Sequence, residues 1–254
     1  MKLIHTPRVN ARYWTAIALA SVFGTNLGDF YAHESGLGIV KGLSVLALIA
    51  AFAFVIERFD EHRHELYYWA VILIIRTGAT NIADYLAYGA RIPRLLLTVS
   101  LAGLIALFGW ASYRTMRSSI TSFTLNGTNA SYWLAMLSAG VFGTVLGDIC
   151  EDRFGEGISA IALTAILGIV LVMGFRRATQ FIAVYWTVVA VARTAGTAIG
   201  DWIAENQILH IGLSVSTLLS AIAFVGVLLL WGDRNNPTEM PTTCLRSRED
   251  NGGD

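Results

Sequence analysis

Four aspartates, Asp29, Asp84, Asp148 and Asp201, stand inside long apolar stretches of this chain, each four residues after a threonine: Thr25, Thr80, Thr144 and Thr197. Carboxylate and hydroxyl oxygens together suit hard cations such as Mg²⁺ or Mn²⁺, or protons. Ionisable groups in apolar segments are expensive and are by default functional. The set keeps a fixed register. Each Thr falls eleven residues, and each Asp fifteen, after the Trp of a Tyr-Trp pair: Tyr13-Trp14, Tyr68-Trp69, Tyr132-Trp133 and Tyr185-Trp186. Recurrence at constant spacing marks a repeat architecture.

Two arginines join the set. Arg76 and Arg193 stand seven residues after Trp69 and Trp186, in the second and fourth copies only. With all four Asp ionised, the core charge is −4 + 2 = −2. A divalent cation or bound protons would offset it, and no other cofactor is implied. The arginines argue against a simple cation pore, since fixed positive groups exclude cations. They fit tethered counter-charges that release a cation, or a clamp for an anionic or zwitterionic solute. As a further alternative, each snorkels to the membrane surface.

These side chains need long apolar helices to carry them. Hydrophobic residues make up 55% of the chain and charged residues 14%, against about 25% charged in soluble domains. Each copy reads as two apolar runs of about twenty residues, the length that spans a bilayer as a helix. Eight spans are expected near 12–33, 38–57, 66–88, 94–113, 130–151, 156–175, 179–204 and 207–231. The fold class is therefore an all-α integral membrane protein with eight transmembrane helices. Residues 1–231 form a single membrane domain, with repeats about 12–57, 66–113, 130–175 and 179–231, and 232–254 form a disordered cytoplasmic tail. An even number of spans per unit makes the four repeats parallel, about an axis along the membrane normal. Copies one and three share Phe-Gly-Thr and a Gly-x-Gly-Ile turn (Gly36–Ile39, Gly155–Ile158), while copies two and four share the Arg. The core is thus pseudo-fourfold, a two-fold of paired repeats.

At 100° per residue, Trp, the +7 residue, Thr and Asp fall within an arc of about 80° on the first helix of each unit. Beside them runs a ridge of small residues: Gly24/Gly28, Ala79/Ala83, Gly143/Gly147 and Gly196/Gly200. Such ridges let membrane helices approach closely, so the stripe is expected to point inward and line one central polar cavity. The second helices are plainer and more lipid-like. The Trp residues are assigned to the cytoplasmic aromatic belt. The Asp then lies about 22 Å further out and about 12 Å from the Arg on the same helix, too far for direct pairing.

Charge distribution orients the chain. Twelve of the basic residues (Lys2, Arg8, Arg12, Arg58, Arg63, Arg114, Arg117, Arg176, Arg177, Arg234, Arg246 and Arg248) fall on the side of both termini, against four in the intervening hairpins (Lys41, Arg91, Arg94 and Arg153). The positive-inside rule places both termini in the cytoplasm. The opposite side is acidic, with Glu34, Glu151, Asp152, Glu156 and Glu205. Cys150 and Cys244 are expected on opposite faces, which precludes a disulfide between them. His5, His33, His62, His64 and His210 do not repeat as a ligand set, Asn126 faces the wrong side for glycosylation, and no motif points to nucleic acid.

The Trp, Thr and Asp positions over about 12–231 resemble a bacterial membrane-protein family of unknown function, built from four tandem two-helix repeats, each with a characteristic Trp and a GTxxGD-like motif. The resemblance implies a polytopic inner-membrane protein whose partners are the lipid bilayer and a small ion or solute. It implies no substrate and no catalytic residue. Transport at the Asp/Thr set is the leading expectation. The alternative is a non-transporting membrane protein, structural or enzymatic, whose Asp/Thr stripes hold helices together.

Overall fold

The computed structural model describes residues 7–34, 36, 38–59, 65–117, 128–174, 181–206 and 211–231. Among them every regular element is helical. The helices are α1 (Ala11–Asp29), α2 (Gly38–Phe59), α3 (Leu66–Asp84), α4 (Arg94–Arg117), α5 (Ala130–Phe154), α6 (Glu156–Gly174), α7 (Ile182–Glu205) and α8 (Gly212–Leu230). A π-helical turn continues α1 over Phe30–Glu34, and another continues α3 over Tyr85–Gly89. Seven helices, α2 to α8, are long and apolar enough to cross a bilayer, and the chain is a multi-pass membrane protein. In α1 the middle is more polar, because Ser21, Thr25 and Asn26 are buried there.

Local sequence explains the ends. Asn10 and Asn129, three residues before a motif Tyr, cap α1 and α5 by accepting from the backbone N–H of Tyr13 (2.9 Å) and Tyr132 (2.8 Å). Asparagine is among the strongest N-caps. Helix α5 stops at Gly155, whose φ of +82° is closed to L side chains. The two Gly-x-Gly-Ile stretches are not equivalent. Gly36 and Gly38 both have positive φ, whereas Gly157 lies inside α6.

The helices carrying the motif stand side by side in the order α1, α3, α5, α7, and α7 closes back on α1. The small-residue ridges make these contacts. A Cβ at Gly143 would lie 2.6 Å from Arg193 Cβ, and one at Gly28 would lie 2.9 Å from Thr80 Cβ. The outer helices hand over to the next unit: α2 packs on α3, α4 on α5, α6 on α7, and α8 on α1. Their outward faces leave large apolar side chains exposed, among them Leu48, Phe52, Leu95, Val99, Ile161, Val172 and Leu218.

Several sequence expectations fall outside the described residues: the 232–254 tail, Cys244, Asn126, His5, His62, His64 and His210, and the basic residues Lys2, Arg63, Arg176, Arg177, Arg234, Arg246 and Arg248.

Candidate functional site

The side chains that meet on the bundle axis are spaced by four residues, and they form layers. The first layer is the Tyr of each Tyr-Trp pair. Tyr13, Tyr68, Tyr132 and Tyr185 are fully buried. Their hydroxyls close a ring: Tyr13 to Tyr68 at 2.9 Å, Tyr68 to Tyr132 at 2.6 Å, Tyr132 to Tyr185 at 3.0 Å and Tyr185 to Tyr13 at 2.5 Å. In such a ring each hydroxyl can donate once and accept once, so all four are satisfied. The ring seals the amino-terminal end of the axis.

The tryptophans are not in an aromatic belt. Trp14, Trp69, Trp133 and Trp186 are 2–7% exposed. Each stands edge-on to its own Tyr at 5.1–5.2 Å. Each also packs against the Tyr of the helix before it in the ring: Trp69 on Tyr13, Trp133 on Tyr68, Trp186 on Tyr132 and Trp14 on Tyr185, at 5.6–5.7 Å. The belt assignment fails because the outer helices replace lipid on the flanks of the inner ring.

Above the tyrosines lie the two arginines, both with no exposed surface. The snorkelling alternative is therefore wrong. Equivalent positions on α1 and α5 are Ser21 and Gly140, small enough to leave room. From this one level the two side chains go opposite ways. Arg193 turns toward the tyrosines, donating to Ser21 Oγ at 3.2 Å and reaching Met136 Sδ at 4.0 Å. Arg76 turns the other way, into the threonines. It donates to Thr25, to Thr80 at 3.2 Å, to Thr144 at 2.9 Å, to Thr197 at 2.6 Å and to the Gly140 carbonyl at 3.4 Å. One guanidinium thus gathers the hydroxyls of all four motif threonines. The threonines tolerate the role because they keep local bonds as well, such as Thr25 to the Ser21 carbonyl at 2.9 Å.

One turn further, the axis opens. A cavity of about 700 Å³ is lined by Asp29, Asp84, Asp148 and Asp201, by the four threonines, and by His33, Glu34, Glu151, Asp152 and Glu205. All four Asp are half-buried. Among the described residues none of their carboxylates has a hydrogen-bond or ion-pair partner. No Lys or Arg side chain lines the cavity. Arg76 lies beneath the threonines, below the carboxylates. Asp29 and Asp84 are each the last α-helical residue before a π turn, and π turns are frequent at functional sites. Farther out, Arg94 pairs with Asp152, and Ser214 donates to Glu34 at 2.6 Å. At the opposite end Arg12 pairs with Glu65 at 2.7 Å. No group of three or more His, Cys, Asp or Glu residues among those described converges as metal ligands would. Cys150 is free and partly buried in α5.

The structure therefore divides the expected site. The four Asp share one cavity. The four Thr line its floor but are engaged by Arg76, while Arg193 is separate and faces the tyrosines. Sequence reasoning assigned the tyrosines no role. Their signal was the four-residue step Tyr, +3, +7, Thr, Asp. That step follows a helix inclined to the axis along its i±4 row, rather than one parallel to it.

No curated protein and no solved structure matches the chain. A repeat family described as Repeat of Unknown Function (DUF347) matches residues 12–62 and 184–232. The matched segments hold α1 with α2 and α7 with α8, and they agree with the resemblance drawn from the Trp, Thr and Asp pattern as far as a repeat family without an assigned function.

Proposed function

We propose that this chain is a transporter of a small cation, or of a solute moved with protons, and that the ligand sits at Asp29, Asp84, Asp148 and Asp201. The proposal places eight spans in four parallel two-helix repeats, as one membrane domain over 1–231. Both termini and the 232–254 tail are cytoplasmic, in a bacterial inner membrane. The observation that carries it is a single cavity of about 700 Å³ touching all four partnerless carboxylates, open at the carboxyl-terminal end of the motif helices. The other end is shut by the arginine and tyrosine layers. A shut end and an open end on one axis fit one state of an alternating-access cycle. The anionic or zwitterionic solute is the weaker reading, because neither Arg lines the cavity. The structural reading keeps one supporting observation, the Arg76–threonine cluster, which ties the four inner helices together.

The test is charge movement in proteoliposomes on a solid-supported membrane, with proton, Mg²⁺, Mn²⁺ and small ammonium gradients applied in turn. The parent protein is expected to give a current with at least one of them. Asp29→Asn combined with Asp201→Asn is expected to abolish it while the fold persists. A parent protein silent to every gradient, and indifferent to each ion in its melting temperature, would falsify the proposal.

A further inference from the structure

Resting on the cation-site reading, we infer that the cavity is built for a linear aliphatic diamine or polyamine, with one ammonium among the four Asp and the next at Glu151 and Glu205.

Two tiers of free carboxylate point to this class. The inner tier is the four Asp. Asp201 is the most deeply enclosed of them and Asp29 the next, yet neither has a partner among the described residues. The outer tier lies on α5 and α7. Glu151 is three residues beyond Asp148, and Glu205 is four beyond Asp201, which places them about 4.5–6 Å further along the axis. Glu151 Oε1 is buried with no hydrogen-bond partner. The other acids at this level are already used, Asp152 by Arg94 and Glu34 by Ser214. Two anionic tiers one helical turn apart match two ammonium groups joined by a short methylene chain.

The walls and the volume agree. Ile39, Leu213, Ala204 and Tyr85 also line the cavity, so apolar surface is available for the methylenes. About 700 Å³ falls in the range of organic-ligand pockets, about 300–1,000 Å³. A bare divalent ion instead needs six or more oxygens at about 2.0–2.6 Å, and no three of these acidic side chains converge in that way. The floor completes the fit. Arg76 holds a positive charge beneath the Asp tier, which stops an ammonium from travelling deeper.

The experiment titrates the full chain in nanodiscs by calorimetry against 1,3-diaminopropane, 1,4-diaminobutane, 1,6-diaminohexane, butylamine and Mn²⁺. The expected result is an optimum at the three- or four-carbon diamine, bound at least tenfold tighter than butylamine. Glu151→Gln with Glu205→Gln is expected to erase that margin. The length series uses the parent protein, so a variant that fails to fold does not decide the outcome. Equal affinity for butylamine and the diamines overturns the two-tier inference. Tight Mn²⁺ binding that the diamines do not displace overturns the amine class and leaves the cation-site proposal standing. Absence of binding by every amine overturns the diamine inference, and the charge-movement test then decides the cation-site proposal separately.

Discussion

Replacing Gly143 by alanine puts a single methyl into a close backbone contact of the inner ring. The added Cβ would lie 2.6 Å from Arg193 Cβ, 2.7 Å from the Arg193 carbonyl carbon and 2.9 Å from the Thr194 backbone nitrogen. Two of these three atoms are backbone, so no rotamer change relieves the clash. Ordinary contact begins near 3.4 Å, and α5 and α7 must therefore part by about 1 Å. Overpacking of this kind costs about 1–3 kcal/mol. A second cost follows from the next residue. Arg76 spans the same two helices, donating to Thr144 at 2.9 Å and to Thr197 at 2.6 Å. Separation stretches at least one of these bonds, and a hydrogen bond from a charged donor contributes about 1.5–3 kcal/mol.

The sum is about 2.5–6 kcal/mol. At about 2–4 °C per kcal/mol for a chain of this size, the melting midpoint should fall by roughly 5–25 °C. Near-ultraviolet circular dichroism in one detergent measures it, since the buried Tyr and Trp layer reports on the ring. Gly168→Ala is the internal control, because a Cβ there meets nothing within 4 Å. It should melt with the parent protein. If Gly143→Ala does so too, the α5–α7 contact is not made at this glycine, and the inward placement of the Asp stripe falls with it.

Two further outcomes are expected. Gly155→Ala should destabilise by about 1–3 kcal/mol, because its φ of +82° and ψ of +154° lie in a region essentially reserved for glycine; Gly157→Ala, inside α6 with 3.4 Å to its nearest neighbour, should change the melting midpoint little. Arg76→Met removes the positive charge beneath the Asp tier and also the bonds to the four threonines, so the melting midpoint should fall; measured well below that midpoint, affinity for Mn²⁺ or 1,4-diaminobutane should rise several-fold in calorimetry, and unchanged affinity of the folded variant would show that the guanidinium does not oppose the ligand.

Much of the architecture was legible because membrane helices leave few choices. Apolar runs of bilayer length, broken by polar turns, specify helices. The Thr and Asp spacing put four hydroxyls and four carboxylates in one register, and they line one cavity. Legibility ended where tertiary packing decided the outcome. The Trp residues were placed at a lipid boundary, and their burial depends on outer helices that cover the next unit's inner helix, a handover that spacing within one unit does not encode. The tyrosines were passed over for a similar reason. A 100° wheel sets Tyr13 about 80° from Ser21, whereas a helix inclined to the axis brings every fourth residue to the centre.

The arginine level shows why a fourfold motif departs from fourfold sequence at one layer. Hydroxyls can meet four at a time because each both donates and accepts, and the tyrosines close such a ring at 2.5–3.0 Å. Four guanidiniums cannot, since they only donate and carry like charge. Two are accommodated by alternation: Arg76 and Arg193 face Ser21 and Gly140 at the same level, and the charged ends part along the axis. Arg76 finds its acceptors in the threonine ring and its counter-charge in the Asp tier beyond. The position that breaks the repeat is thus the one that separates a sealed aromatic end from an open acidic one. It couples them mechanically as well, because any motion that widens the threonine ring must break bonds to a guanidinium rooted in α3.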